Sequence, residues 1–268
     1  MLKFDYHTHT NHSHDSKTSM KTMIEQAIYI GLEEIAITDH IDFSFPDNAV
    51  ISPWGIDANV KAIKSMQEKY ADKIAIRVGT ELNLRPDSAE ACHNIAESND
   101  FDIIIGSVHE LNNSTDFGHP ELYQNHTKHK AYTIYFETVL EALKACDSYD
   151  VLGHLDYVER YGIYQDNRLI YAEYRDIVDE ILRHVVHNGK GIEINTSGLA
   201  YGLWRPHPQA DIIYRYLQLG GEIITIGSDA HSPDRIGYGF DEAHRMLQDI
   251  GVKHICQFIN RQPKFVRI

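Results

Sequence analysis

Short apolar stretches alternate with helical stripes along most of the chain. Residues 2–6 alternate apolar and polar, which predicts a short strand. Met20, Met23, Ile24, Ala27 and Ile28 recur at helical spacing, and the stripe closes at Gly31. Residues 34–38 read as a second strand and residues 41–56 as a long loop. A helix capped by Asp57 and carrying Val60, Ile63 and Tyr70 leads to a third strand over 74–78. A short helix over 89–97 precedes a fourth strand over 101–105. Tyr132, Tyr135, Phe136, Val139, Leu140 and Leu143 share the face of the next helix, and 150–152 is a short fifth strand. Tyr174, Ile177, Val178, Ile181, Leu182, Val185 and Val186 mark another helix, followed by a sixth strand over 191–195. A helix over 212–219 ends at Gly220-Gly221, a seventh strand covers 222–226, and a last helix covers 241–250.

Strict alternation of strand and helix predicts a parallel sheet with helices outside it. No Gly-x-Gly-x-x-Gly turn follows the first strand and no P-loop is present, which argues against an open nucleotide-binding sheet. The reading is an α/β barrel of about seven strands forming one domain over residues 1–268.

Composition narrows the function. The 268 residues are 43% hydrophobic, enough to bury a core. No apolar run reaches membrane-spanning length and no secretory leader is visible, so a cytoplasmic protein with no membrane partner is expected. Cys92, Cys146 and Cys256 are odd in number and widely spaced, as in a reduced protein. A formal charge of −14 disfavours a nucleic-acid partner. Nothing implies an oligomeric state.

In a barrel, residues just past the strand ends gather on one face. Those positions hold His7 and His9, Asp39-His40, Glu81, His109, His154, and Asp229 with His231. Each alone is ordinary, but together they form a set of imidazole and carboxylate metal ligands. Asp15, with His14 beside it as the alternative, lies in the loop after His9. Asp42, Arg160, Arg205 and His207 are further polar candidates in the loops, whereas Glu193 and Asn195 receive no role.

The runs Asp5-Tyr6-His7-Thr8-His9, Thr38-Asp39-His40, Gly79-Thr80-Glu81, Ser107-Val108-His109, Gly153-His154 and Ser228-Asp229-Ala230-His231 together resemble the polymerase-and-histidinol-phosphatase family. The surroundings of His40 and His154 look like its histidinol-phosphatase branch. The resemblance implies a distorted (β/α)7 barrel of TIM-like type holding three divalent transition-metal ions (Zn, Mn or Fe). One ion would take His7, His9, Glu81 and Asp229. A second would take Glu81, His109 and His154, with Glu81 bridging, and a third Asp15, His40 and His231. The implied activity is phosphate monoester hydrolysis by a metal-bridging hydroxide, with L-histidinol phosphate as the small phosphorylated metabolite. Arg160 would bind phosphate, Glu110 with Asp42 would face the cationic end, and Asp42 or His207 would donate the proton. Phe43, Phe45, Phe117, Tyr201 and Trp204 offer flat surfaces for an imidazole. The rival expectations are a nucleotide or phosphotyrosine phosphatase, or a metal-binding domain without catalysis.

Overall fold

The computed structural model describes residues 2–112 and 115–268, so Met1, Asn113 and Ser114 lie outside the described residues. Seven parallel strands follow one another in the order β1 (Phe4–Asp5), β2 (Glu34–Ile37), β5 (Ala75–Asn83), β6 (Ile103–Ser107), β7 (Val151–Leu152), β8 (Gly191–Asn195) and β9 (Ile224–Gly227). The path closes on itself. Tyr6 N–H donates to Ile226 O at 2.9 Å, Asp229 N–H to His7 O at 2.8 Å and His9 N–H to Ala230 O at 2.9 Å. The expected seven-stranded barrel is therefore the observed one.

The helices fall where the stripes place them. They are α1 (Met20–Tyr29), α2 (Ile56–Tyr70), α3 (Ala89–Ser98), a short α4 (Glu121–Gln124), α5 (Lys128–Ala145), α6 (Arg175–His187), a short α7 (Ser197–Ala200), α8 (Ala210–Gln218) and α9 (Phe240–Asp249). Met23 and Ile24 of α1 and Val178, Ile181 and Leu182 of α6 are wholly buried against the sheet. Burying one such side chain stabilises by about 1.5–3 kcal/mol. Asp57 does not cap α2: Gly55 holds the cap position and Asp57 lies in the first turn, where a carboxylate meets the positive end of the helix dipole.

Two elements depart from the expected pattern. The supposed loop over 41–56 carries an antiparallel hairpin, β3 (His40–Phe43) with β4 (Val50–Ile51), and β3 also pairs in parallel with the upper half of β5. That extra partner lengthens β5 to nine residues and puts Glu81 inside the strand instead of past its end. At the other pole the chain finishes in a hairpin, β10 (His254–Ile259) and β11 (Gln262–Arg267). Its turn bonds to the N-terminal ends of the barrel strands: Asn260 N–H donates to Asp102 Oδ1 at 3.1 Å, and Arg261 Nε to Asp150 Oδ1 at 3.0 Å. The hairpin thus covers the floor of the barrel and leaves the opposite mouth open to the loops.

Candidate metal centre

The mouth is built around Glu81. Strand alternation turns its side chain inward, and it is 1% exposed. Its two oxygens face different groups of rings. Oε2 lies 3.1 Å from His7 Nε2, 3.4 Å from His9 Nε2 and 3.1 Å from His40 Nδ1. Oε1 lies 3.1 Å from His109 Nε2 and 2.9 Å from His154 Nε2. This division is the geometry of a bridging carboxylate. Asp229, at φ +56°, stands 3.4 Å from His9 Nε2 and 3.8 Å from His7 Nε2. Asp15 Oδ2 lies 2.8 Å from His231 Nε2 and 3.5 Å from His40 Nε2.

The ligand atoms form overlapping groups, each within 4.8 Å: His9, Asp15, His40 and His231; His7, His9 and Asp229; Glu81, His109 and His154. A fourth group joins His40, Asp42 and His109. All the residues expected as ligands converge, with His9, His40 and His109 shared between groups. Of the two alternatives in the first loop, Asp15 stands in one of these groups, whereas His14 turns to Asp42, 3.3 Å away. Asp39 does not join. Next to His40 on the chain, it faces the other way and accepts from Thr10 N–H (2.6 Å), Thr10 Oγ1 (2.9 Å) and Ser13 Oγ (2.9 Å), holding the first loop in place.

These residues fit cations. His7 Nε2, His9 Nε2 and His40 Nδ1 are buried without a hydrogen-bond partner, and His109 Nε2 faces His154 Nε2 at 3.3 Å. Buried ring nitrogens left unpaired and converging on carboxylates are costly without an electrophile between them. Burial opposes the charge on Glu81, but His7, His40 and His109 hold its carboxyl well below the usual range. Burial, with His231 and His40 beside it, pushes His9 down to about 3, so its ring is neutral and able to ligate.

Two connected cavities open beside the ligands. One, of about 310 Å³, is walled by Arg160, Tyr201, Glu81, His154 and Asp229. Arg160 rides on a 3-10 turn over Tyr157–Tyr161, its guanidinium 3.2 Å from the Tyr201 ring centre. The other, of about 380 Å³, is walled by Asp42, Phe43, Ile51, Glu110, Asp116 and Tyr157. Asp42 lies there between His14 and His109; burial opposes its charge, yet the two rings hold its carboxyl below the usual range. Glu110 reaches this wall and accepts from Arg85 Nη1 at 3.0 Å and Asn83 Nδ2 at 3.1 Å, sharing the Arg85 guanidinium with Asp87.

His207 does not line either cavity. It is wholly buried, its Nδ1 donating to Asp156 Oδ1 in a short contact, with the Tyr157 ring 6.4 Å away on the side of the mouth. Asp156 also accepts from Arg205 Nη1 at 2.8 Å and Gln209 N–H at 2.9 Å. Phe117 packs on Tyr135 in the core and Trp204 is 90% exposed, so neither offers a wall to a ligand. Glu193 and Asn195 were without a role in the sequence, yet both sit behind the ligands. The signal was their inward alternation with Ile192 and Ile194 on β8.

A closed seven-stranded α/β barrel with a mouth of convergent histidines and carboxylates defines a metal-dependent hydrolase. The PHP domain family matches residues 5–197, and the chain belongs to that family. It is 32% identical to histidinol-phosphatase of Lactococcus lactis over 258 residues, covering 96% of this chain and 95% of the relative. It is 34% identical to a probable histidinol-phosphatase of Clostridium acetobutylicum over 257 residues, covering 95% and 96%. The crystal structure of the Lactococcus lactis histidinol phosphate phosphatase complexed with zinc, L-histidinol and phosphate superposes with a TM-score of 0.89 at 31% identity, covering 98% of this chain and all of that one (100%).

Proposed function

We propose that the protein hydrolyses L-histidinol phosphate to L-histidinol and phosphate, a step of histidine biosynthesis. The observation that carries this is the junction at the mouth. Clusters of ion ligands open on one side to Arg160 and on the other to an acidic and aromatic wall. A relative alike over nearly the whole chain holds zinc, L-histidinol and phosphate. Divalent ions held by His7, His9, Glu81 and Asp229, by Glu81, His109 and His154, and by Asp15, His40 and His231 would neutralise phosphate charge and supply a water acidic enough to ionise near neutral pH.

In the reaction, water oxygen bonds to phosphorus, the P–O bond to the histidinol oxygen breaks, and that oxygen takes a proton. Arg160 makes no ion pair among the described residues, so its fork is free for phosphoryl oxygens while Tyr201 holds the plane of the guanidinium. Asp42 is the better supported of the two expected proton donors because it lines the leaving-group cavity. Held ionised, it would pass on a proton from His14, 3.3 Å away, and not store one. The buried Asp156–Arg205–Glu159 network fastens the loop after β8 to the turn that carries Arg160, so His207 serves that scaffold. Buried, free cysteines support a reducing, cytoplasmic setting.

Purified protein is expected to release phosphate from L-histidinol phosphate, to stop after chelation, and to resume with Zn²⁺ or Mn²⁺. Turnover undiminished after complete chelation overturns the metal part of the proposal.

A further inference from the structure

Glu193 lies outside every group of ion ligands, yet it touches two of them. It stands on the inner face of β8 and is 1% exposed. Oε1 accepts from His7 Nδ1 at 2.6 Å. Oε2 accepts from the His154 backbone N–H at 3.1 Å and from Asn195 Nδ2 at 3.1 Å. No lysine or arginine pairs with it among the described residues; the ion pair it makes is with His7. Gly227 on the adjoining strand leaves the space for this contact, since a Cβ there would stand 2.5 Å from Glu193 Oε1.

Building on the metal-dependent reading above, we propose that Glu193 is a positioning residue that couples two ion positions. A carboxylate on Nδ1 fixes the proton there and leaves His7 Nε2 as the ligand atom, aimed at Glu81 and Asp229. The other oxygen holds the backbone of His154, whose ring belongs with Glu81 and His109. One side chain therefore sets a ligand of each of two neighbouring groups, and the strand ends of β1 and β7 cannot shift independently. Among the described residues, none of His9, Asp15, His40 and His231 hydrogen-bonds to Glu193.

Glu193→Gln tests this. The amide has one accepting oxygen for donors on three sides, so at least one hydrogen bond is replaced by two facing donors. Zinc affinity, read by competition with a chromophoric chelator, is expected to fall about 10- to 100-fold for two ions together, with the remaining ion held as in the wild type. Folding is followed by circular dichroism. Folded Glu193→Gln that binds every ion within about twofold of the wild type overturns the coupling while leaving the hydrolase reading intact. A wild type that binds no zinc in the same titration overturns the reading itself. A second measurement does not depend on the variant folding: ¹⁵N NMR of the wild-type histidines is expected to show His7 protonated at Nδ1, and a proton on Nε2 overturns the proposal.

Discussion

At Glu81 a single carboxylate divides five imidazoles between its two oxygens. Glu81→Ala is therefore expected to lose more than one ion and nearly all turnover, by elemental analysis and phosphate release; a fully metallated, active variant refutes the bridge. Arg160 walls the cavity beside the candidate ligands, so on the proposed reading Arg160→Ala should keep its ions and lose kcat/KM about 100- to 1,000-fold, a loss typical of removing one charge-stabilising donor. Asp156 is a stability residue instead. Removing it orphans His207 and leaves the partly buried Arg205 with Glu159 as its remaining ion pair, and Asp156→Ala should cost about 3 kcal/mol in urea unfolding. Burial raises the Asp156 carboxyl, but Arg205 and His207 hold it below its ordinary 3.8. A depressed folded value contributes stability at pH above 3.8 that fades as pH falls through the folded value. The stability gap between wild type and Asp156→Ala should thus narrow in acid; a gap that widens there contradicts the pairing.

Elements carried by a strong period were legible in the sequence. The α6 stripe announces a helix because each apolar residue of that face is needed against the sheet. The β3–β4 hairpin was not legible. Val50 and Ile51 are exposed, and β3 exists only because β5 supplies a parallel edge far along the chain. The same long-range pairing hid the true length of β5 and put Glu81 past its supposed end. The candidate ligands were visible because histidine and carboxylate recur at strand ends. Residues that act by holding others, Glu193 behind His7 and His154 and Asp156 behind His207 and Arg205, resemble any other acid until the fold brings these partners to them. Arg85, buried between the hairpin and the wall of the leaving-group cavity, bonds to Phe43 O at 3.1 Å and Glu110 at 3.0 Å. Arg85→Met should raise KM more than it lowers kcat, because it frees the wall but leaves the ion ligands; an equal fall in kcat would instead tie Arg85 to the ion cluster.

The whole molecule separates stability from chemistry by pole. A hairpin covers the floor, the core fills the barrel, and the candidate ion ligands sit at the mouth. No helix among the described residues is long and apolar enough to cross a membrane. Ligand histidines must be neutral and carboxylates ionised to hold ions, so protons compete and affinity falls as pH falls. The most direct test of the proposed substrate is kcat/KM of the zinc- or manganese-replete enzyme for L-histidinol phosphate beside a nucleoside monophosphate, phosphotyrosine and a sugar phosphate. L-histidinol phosphate is expected to lead by at least about tenfold, or about 1.4 kcal/mol of transition-state preference. A tenfold lead for any of the others contradicts it.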